Sequence, residues 1–167
     1  MNKKIIGVVA CGAVAASMAI GASAEDGLIK VGYAQVGHES DWRTANTQNY
    51  QDVFTEENGY ELSFVDCDND NAAQIEAVRN FINQELDYII IAPIQSAGWD
   101  TVLQEAQDAG IPVIIADREI EASEDLYDAW VGTNTTNEGI TAGNWLAENL
   151  DGKEANILVI EGSVGAS

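Results

Sequence analysis

Five consecutive residues, Glu39-Ser40-Asp41-Trp42-Arg43, combine two carboxylates, a hydroxyl, an indole and a guanidinium. Such a set suits a polyhydroxylated ligand: the flat indole covers a patch of C–H groups while the charged side chains hydrogen-bond the hydroxyls around it. The same residues also suit a helix start. Glu39, Ser40 and Asp41 can cap the first turn and favour its dipole, with Trp42 packed in the core. Read alone, the segment leaves both uses open.

A second pair, Asp117-Arg118, directly follows the apolar run Val113-Ile114-Ile115-Ala116. Aspartate accepts and arginine donates through a fixed fork, so neighbours of this kind can hold adjacent hydroxyls from both sides. Asp66-Cys67-Asp68-Asn69-Asp70 imitates the start of a calcium loop, but Asn71 stands at the turn glycine and Ala77 at the bidentate acid. Helix capping is the simpler use of these acids, and no metal or other cofactor is expected. Sets for catalysis are missing. No G-x-G-x-x-G follows the first strand, there is no phosphate loop and no G-x-S-x-G elbow, and the single His38 has no evident nucleophile beside it. His38 reads as a loop residue or the rim of a pocket, and Asn134-Thr135-Thr136 as a glycosylation acceptor of low specificity.

Alternating strands and helices position these residues. Residues 28–34 read as a buried strand, and 42–57 as a helix with Ser40 as a possible cap and Asn58-Gly59 as its end. Residues 61–67 form a second strand, followed by a helix with Ile75, Val78 and Ile82 on one face. Tyr88-Ile89-Ile90-Ile91-Ala92 is continuously apolar, as a central strand covered on both sides requires. Trp99, Val102, Leu103 and Ala106 fall at i, i+3, i+4 and i+7 of a third helix, which Ser96 can cap and Gly110 with Pro112 ends. Residues 113–116 and 129–131 are further strands, 137–150 a fourth helix, and 157–160 a sixth strand. Repeated β-α-β units imply an α/β fold, a parallel sheet with helices on both faces. Ligands bind such sheets in the crevice beyond the strands' carboxyl ends, which directs attention to residues 35–43, 92–96 and 117–118.

The chain has 167 residues with 7 Lys and Arg against 28 Asp and Glu, a formal net charge of −21. That balance repels phosphate backbones and anionic lipid surfaces, so nucleic acid is not an expected partner. A hydrophobic content of 46% supplies a core and argues against disorder. Met1-Asn2-Lys3-Lys4, the uncharged run of residues 5–21 and Ala22-Ser23-Ala24 together make a cleaved secretory signal peptide, residues 1–24. Val8-Val9-Ala10-Cys11 imitates a lipoprotein box, but the apolar stretch before it is too short, so Cys11 is not read as lipid-anchored. The location is therefore periplasmic or otherwise extracytoplasmic. Cys67, alone after the signal, reads as a small buried hydrophobe.

The order of these segments resembles the ribose-type sugar-binding proteins of ABC transporters. The likeness rests on the opening G-x-x-Q-V-G-x-E-S-x-W-R from Gly32 to Arg43, on Ile90-Ile91-Ala92-Pro93, and on Ile114-Ile115-Ala116-Asp117-Arg118. Within that family the chain is most similar to the galactofuranose-binding proteins, which share a G-x-V-G-A-S stretch, here Gly162 to Ser167. The resemblance implies a periplasmic-binding-protein-like clamp of two parallel α/β lobes with a monosaccharide between them, no enzymatic activity, and a membrane permease as partner. It also implies that Glu39, Ser40, Trp42 and Arg43 belong to one ligand-contacting loop and Asp117 and Arg118 to another. Asp41 lies inside the first loop where the family's pattern has a glycine, and is kept as a candidate.

The expected organisation is a signal peptide at 1–24, a sugar-binding lobe at 25–133, and a hinge with the start of a second, incomplete lobe at 134–167. The hinge is expected near residues 132–136. The chain reads as a truncated one, a monomer when full length, because residues 162–167 look like a loop leading to a further helix. A sensor or chemoreceptor-coupled binding protein shares every one of these features. A repressor-type ligand-binding core needs a helix-turn-helix where the signal lies, and an exported hydrolase needs the nucleophile and base that are missing.

Overall fold

Gly32 and Tyr33 are neighbours on the first strand, so their side-chain directions point to opposite faces of the sheet. A Cβ at Gly32 would lie 2.6 Å from the Phe81 ring, while the Tyr33 hydroxyl donates to Asn46 Oδ1 at 2.9 Å and its ring stacks on Tyr50 at 4.1 Å. These contacts fix the layers. The computed structural model describes residues 27–160, and in it strand β1 (Ile29–Gln35) is covered by helix α1 (Asp41–Val53) on one side and helix α2 (Asn71–Asn83) on the other. The signal segment, Cys11 and residues 162–167 lie outside the described residues.

Strands β2 (Tyr60–Asp66), β3 (Tyr88–Ile91), β4 (Val113–Asp117) and β5 (Ala129–Gly132) complete a sheet of order β2-β1-β3-β4-β5, every neighbouring pair parallel. The chain leaves β1 in one direction to make β2 and returns past it to make β3. The sheet's switch point therefore falls between β1 and β3, where the loops part above the strand ends. Helix α3 (Asp100–Asp108) packs beside α2, joined by an Arg79–Glu105 ion pair at 2.7 Å. The expected face of α3 is the buried one: Trp99, Val102, Leu103 and Ala106 are all within 1% of complete burial. Ile89, Ile91 and Ile115 fill the core between the layers.

Three local expectations are corrected. Helix α1 ends at Val53, short of residue 57, because Asn58 Nδ2 donates to the Val53 carbonyl and Thr55 caps a separate 3-10 turn, Glu56–Asn58. Ser96 does not cap α3. Its hydroxyl donates to Glu121 instead, and the helix begins at Asp100 with no side-chain cap, the Trp99 indole donating back to the Gln95 carbonyl. Residues 157–160 form no sixth strand: Ile157, Leu158, Val159 and Ile160 are 64–90% exposed. A strand exists only as part of a ladder, and among the described residues nothing pairs with this segment.

Helix α4 (Thr135–Leu150) follows β5, its first turn capped by Asn134 through a 2.9 Å bond from the Asn137 N–H. It buries none of its residues, and Ile140 and Trp145 stand exposed on it. No described helix is long and apolar enough to cross a membrane.

Candidate functional site

All five strands point the same way, so their carboxyl ends share one rim, and three loops rise from it. The Ser40 hydroxyl accepts from the Arg43 N–H at 3.1 Å and starts α1 at the rim, above the end of β1. Starting the helix there carries Arg43 over the strand ends. Its side chain is 3% exposed and spans the crevice: Nε donates to Glu39 Oε1 at 3.2 Å, Nη1 to Gln35 Oε1 at 3.3 Å, and Nη2 to Asp117 Oδ2 at 2.8 Å. One buried guanidinium at the start of α1 thus joins the loop after β1 to the carboxyl end of β4, 74 residues away in sequence.

The two carboxylates it holds keep contact with solvent. Asp117 is 25% exposed and Glu39 34%, each with its second oxygen unused by the guanidinium. The Trp42 ring lies against Arg43 with the guanidinium carbon 4.9 Å from its centroid, and it is 57% exposed. Packing of Trp42 in the core, one of the two uses left open by its sequence, is thereby excluded. The result is an uncovered aromatic face beside a pair of restrained carboxylates. That arrangement can stack on the apolar side of a small ring and accept hydrogen bonds from its hydroxyls.

The backbone at Asp117 is unusual. Its φ is +68°, in the left-handed region, and the Arg118 N–H donates to the Ala116 carbonyl at 3.0 Å, two residues back. An i to i+2 bond around a residue of positive φ is the strained form of the γ-turn, at a cost of about 1–3 kcal/mol. Gly132 sits opposite Asp117 across the β4–β5 ladder, and a Cβ there would run into the Asp117 carbonyl. The close approach of that carbonyl therefore leaves room only for glycine at position 132.

The expected site residues divide accordingly. Glu39, Arg43 and Asp117 meet through their side chains, and Trp42 joins them through Arg43. Ser40 is placed by its cap. Asp41 occupies the first turn of α1, exposed, where its charge favours the helix dipole. Arg118 is half-buried beside Asp117, and its guanidinium forms no ion pair among the described residues.

Two glutamines are buried: Gln35, which lies in the segment 35–43 and in the opening motif without a role of its own there, and Gln74, which is not singled out from sequence. Gln35 is fully buried, its Nε2 donating to Asn46 Oδ1 and Thr47 Oγ1 and its Oε1 accepting from Val36 N and Arg43. Gln74 is equally buried, bonded to backbone at the ends of β1 and β3. A signal existed for Gln74: with Ala77, Val78 and Phe81 it falls on the buried face of α2, where a polar residue needs a specific partner.

The remaining polar residues near the rim have structural uses. Asp70 caps α2 by accepting from the N–H groups of Ala72 and Ala73, the role expected of these acids. Asp66 accepts from the Asp68 N–H and pairs with His38 Nδ1 at 2.8 Å. That contact, chiefly its hydrogen bond, raises the His38 pKa above the ordinary 6.5. Cys67 is buried, and burial pushes its thiol up to about 12, so it is no nucleophile at neutral pH.

Residues 31–167 match the family described as periplasmic binding protein domain. Over its whole length the chain is 40% identical to the galactofuranose-binding protein of Escherichia coli, of which it covers 51%. A crystal structure of a galactofuranose binding protein superposes on 83% of this chain and 47% of its own at a TM-score of 0.77 and 41% identity. The arabinose-transporter binding protein of Shewanella sp., bound to L-arabinofuranose, matches at a TM-score of 0.75 and 40% identity over 82% of this chain and 45% of its own. The chain spans about half the length of the curated relatives it matches. The parallel sheet, the crevice at its switch point and these matches agree: the chain belongs to the periplasmic binding protein family.

Proposed function

We propose that this lobe captures a monosaccharide, of the galactofuranose-like kind, outside the cytoplasmic membrane and presents it to an ABC permease for uptake. The observation that carries the reading is the Arg43 bridge, which sets the exposed Trp42 face and the Glu39 and Asp117 carboxylates around one rim. In this reading Trp42 stacks on the sugar ring and Glu39 and Asp117 accept from its hydroxyls. Ser40 and Arg118 donate, Asp41 extends the polar edge, and Arg43 holds the two acids at a fixed spacing against their mutual repulsion. Binding relatives with the names galactofuranose and L-arabinofuranose favour a five-membered ring.

The lobe comprises residues 25–133, and residues 134–167 begin a second one. The sugar docks on the first lobe, and rotation about residues 132–136 closes the second over it, excluding water from the hydrogen bonds. The permease then recognises the closed form. Nothing in the reading requires bond cleavage.

A calorimetric screen of monosaccharides against the protein carrying both lobes tests the proposal, with Trp42→Ala and Asp117→Ala as controls. A furanose-forming sugar is expected to bind, with each substitution weakening it about tenfold or more. Affinity unchanged in both variants refutes the site, and no binding by any sugar refutes the function.

A further inference from the structure

We propose that Gln74, buried beneath the crevice, is a positioning residue that sets the spacing of the β1 and β3 ends and through them the sugar-contacting side chains. The inference deepens the site proposed above and rests on it.

The Gln74 carboxamide is 0% exposed. Its Nε2 donates to the Ala34 carbonyl at 3.1 Å and the Ala92 carbonyl at 2.7 Å, while its Oε1 accepts from the Ile94 N–H at 2.9 Å. Ala34 lies on β1, Ala92 follows β3, and their last shared rung is the Ala92 N–H donated to the Ala34 carbonyl at 3.1 Å. Beyond that rung the strands part. An amide has the same donor and acceptor pattern as a peptide group, so Gln74 adds one further rung, supplied from α2, where the ladder would otherwise stop.

The position matters because β1 is the strand from which the site is hung. The next residue after Ala34 is Gln35, whose Oε1 accepts from Arg43, and Arg43 in turn holds Asp117 and Glu39. A shift of Ala34 is therefore passed on to the guanidinium. On the other side, Ile94 opens the loop that Ser96 ties to Glu121, through its hydroxyl at 3.0 Å and its carbonyl at 2.8 Å. Gln74 thus braces two of the three loops at the rim, and its own side chain is sealed from any ligand.

Its loss is expected to act on geometry. Gln74→Met keeps the volume and removes the bonds, leaving the Ala92 carbonyl and Ile94 N–H buried without that partner. Misplacement of a binding group by a fraction of an ångström is costly, so affinity for the best sugar of the screen should fall about tenfold or more. A purely structural role would give the same loss in any variant of equal instability. Val113→Ala, at the opposite end of the sheet, supplies that control, because Val113 is buried far along β4 from Asp117.

The measurements are calorimetric affinity and urea stability of wild type, Q74M and V113A, with NMR solvent exchange of the Arg43 Nε–H in the absence of sugar. The expected result is weaker binding and faster Arg43 Nε–H exchange in Q74M alone. Equal affinity losses in Q74M and V113A, or unchanged Arg43 exchange in Q74M, overturn the proposal. Should no sugar bind wild type, the functional reading fails while the exchange measurement still decides the role of Gln74. If Q74M does not fold, Q74N carries the same readouts, since it keeps the carboxamide and retracts it by one methylene.

Discussion

Removal of the Arg43 guanidinium should destabilise the lobe far more than removal of either carboxylate it holds. At 2.8 Å and an effective dielectric near 20, the Arg43–Asp117 attraction is about 6 kcal/mol before desolvation. Withdrawing a guanidinium to 3% exposure takes back several kcal/mol of that. Asp117 remains a quarter exposed, so solvent screens the pair further, and a net coupling of about 1–2 kcal/mol remains. Arg43→Met also takes the guanidinium donors from Glu39 Oε1 and Gln35 Oε1, leaving the latter only the Val36 N–H, so its own cost should reach about 2–4 kcal/mol. Asp117→Asn, which retains an oxygen acceptor and relieves no burial, should cost about 1 kcal/mol. Urea unfolding of wild type, R43M, D117N and the double variant measures the coupling directly. Arg43→Lys should recover little, because an ammonium cannot direct separate N–H groups at three acceptors in the fixed geometry of the fork. A coupling below about 0.5 kcal/mol, the limit within which independent sites add, would refute the bridge as an energetic link.

Three further outcomes are expected. Gly132→Ala forces a Cβ against the Asp117 carbonyl and should lower stability by about 1–3 kcal/mol, read from thermal melts; an unchanged midpoint would mean the γ-turn relaxes freely. His38 has a raised pKa, so the protonated His38–Asp66 pair stabilises the fold below the unfolded value of 6.5 and fades as pH rises through the folded value. Asp66→Asn should bring the His38 NMR titration back toward 6.5, and an unmoved titration would dismiss the contact. The Cys67 thiol, pushed up to about 12 by burial, should resist iodoacetamide in the native protein at neutral pH and react on unfolding. Labelling of the native protein at the rate of the unfolded chain would contradict its burial.

Much of this architecture is written in local patterns. The continuous apolar run at residues 88–92 has one stable place, the middle of a sheet covered on both faces, and β3 occupies it between β1 and β4. The i, i+3, i+4, i+7 spacing of Trp99, Val102, Leu103 and Ala106 likewise predicts the buried face of α3. Residues 157–160 have the same apolar character as 88–92 and form no strand. The difference lies outside the segment: β3 has β1 and β4 to bond, and this segment has no such neighbour among the described residues. Apolar content thus marks a segment that can be a strand, while hydrogen-bonding partners, which are remote in sequence, decide whether it is one. Ser96 failed as a cap for a related reason. Its hydroxyl found Glu121, 25 residues on, and no local spacing reports that competitor.

The site shows the same division between residue type and partner. The segment Glu39 to Arg43 reads as a helix start or as a polar, aromatic ligand surface, and the structure shows the helix start together with an exposed Trp42. Ser40 caps and Trp42 faces outward, so a helix start here leaves the aromatic face open. What the pentapeptide could not reveal is that Arg43 turns inward. An arginine at a helix N-terminus is normally read as a solvated cation poorly matched to the dipole. Here Glu39 four residues before it, Gln35 at the end of β1 and Asp117 at the end of β4 supply acceptors for three different guanidinium nitrogens, and burial becomes tolerable only through all of them together. The consequence for binding follows from electrostatics. Two carboxylates near one rim repel each other and would splay apart in water, and a buried cation between them removes that tendency before any ligand arrives. In the proposed function a sugar would meet acceptors already held in place, so the ordering cost would fall on folding and not on binding.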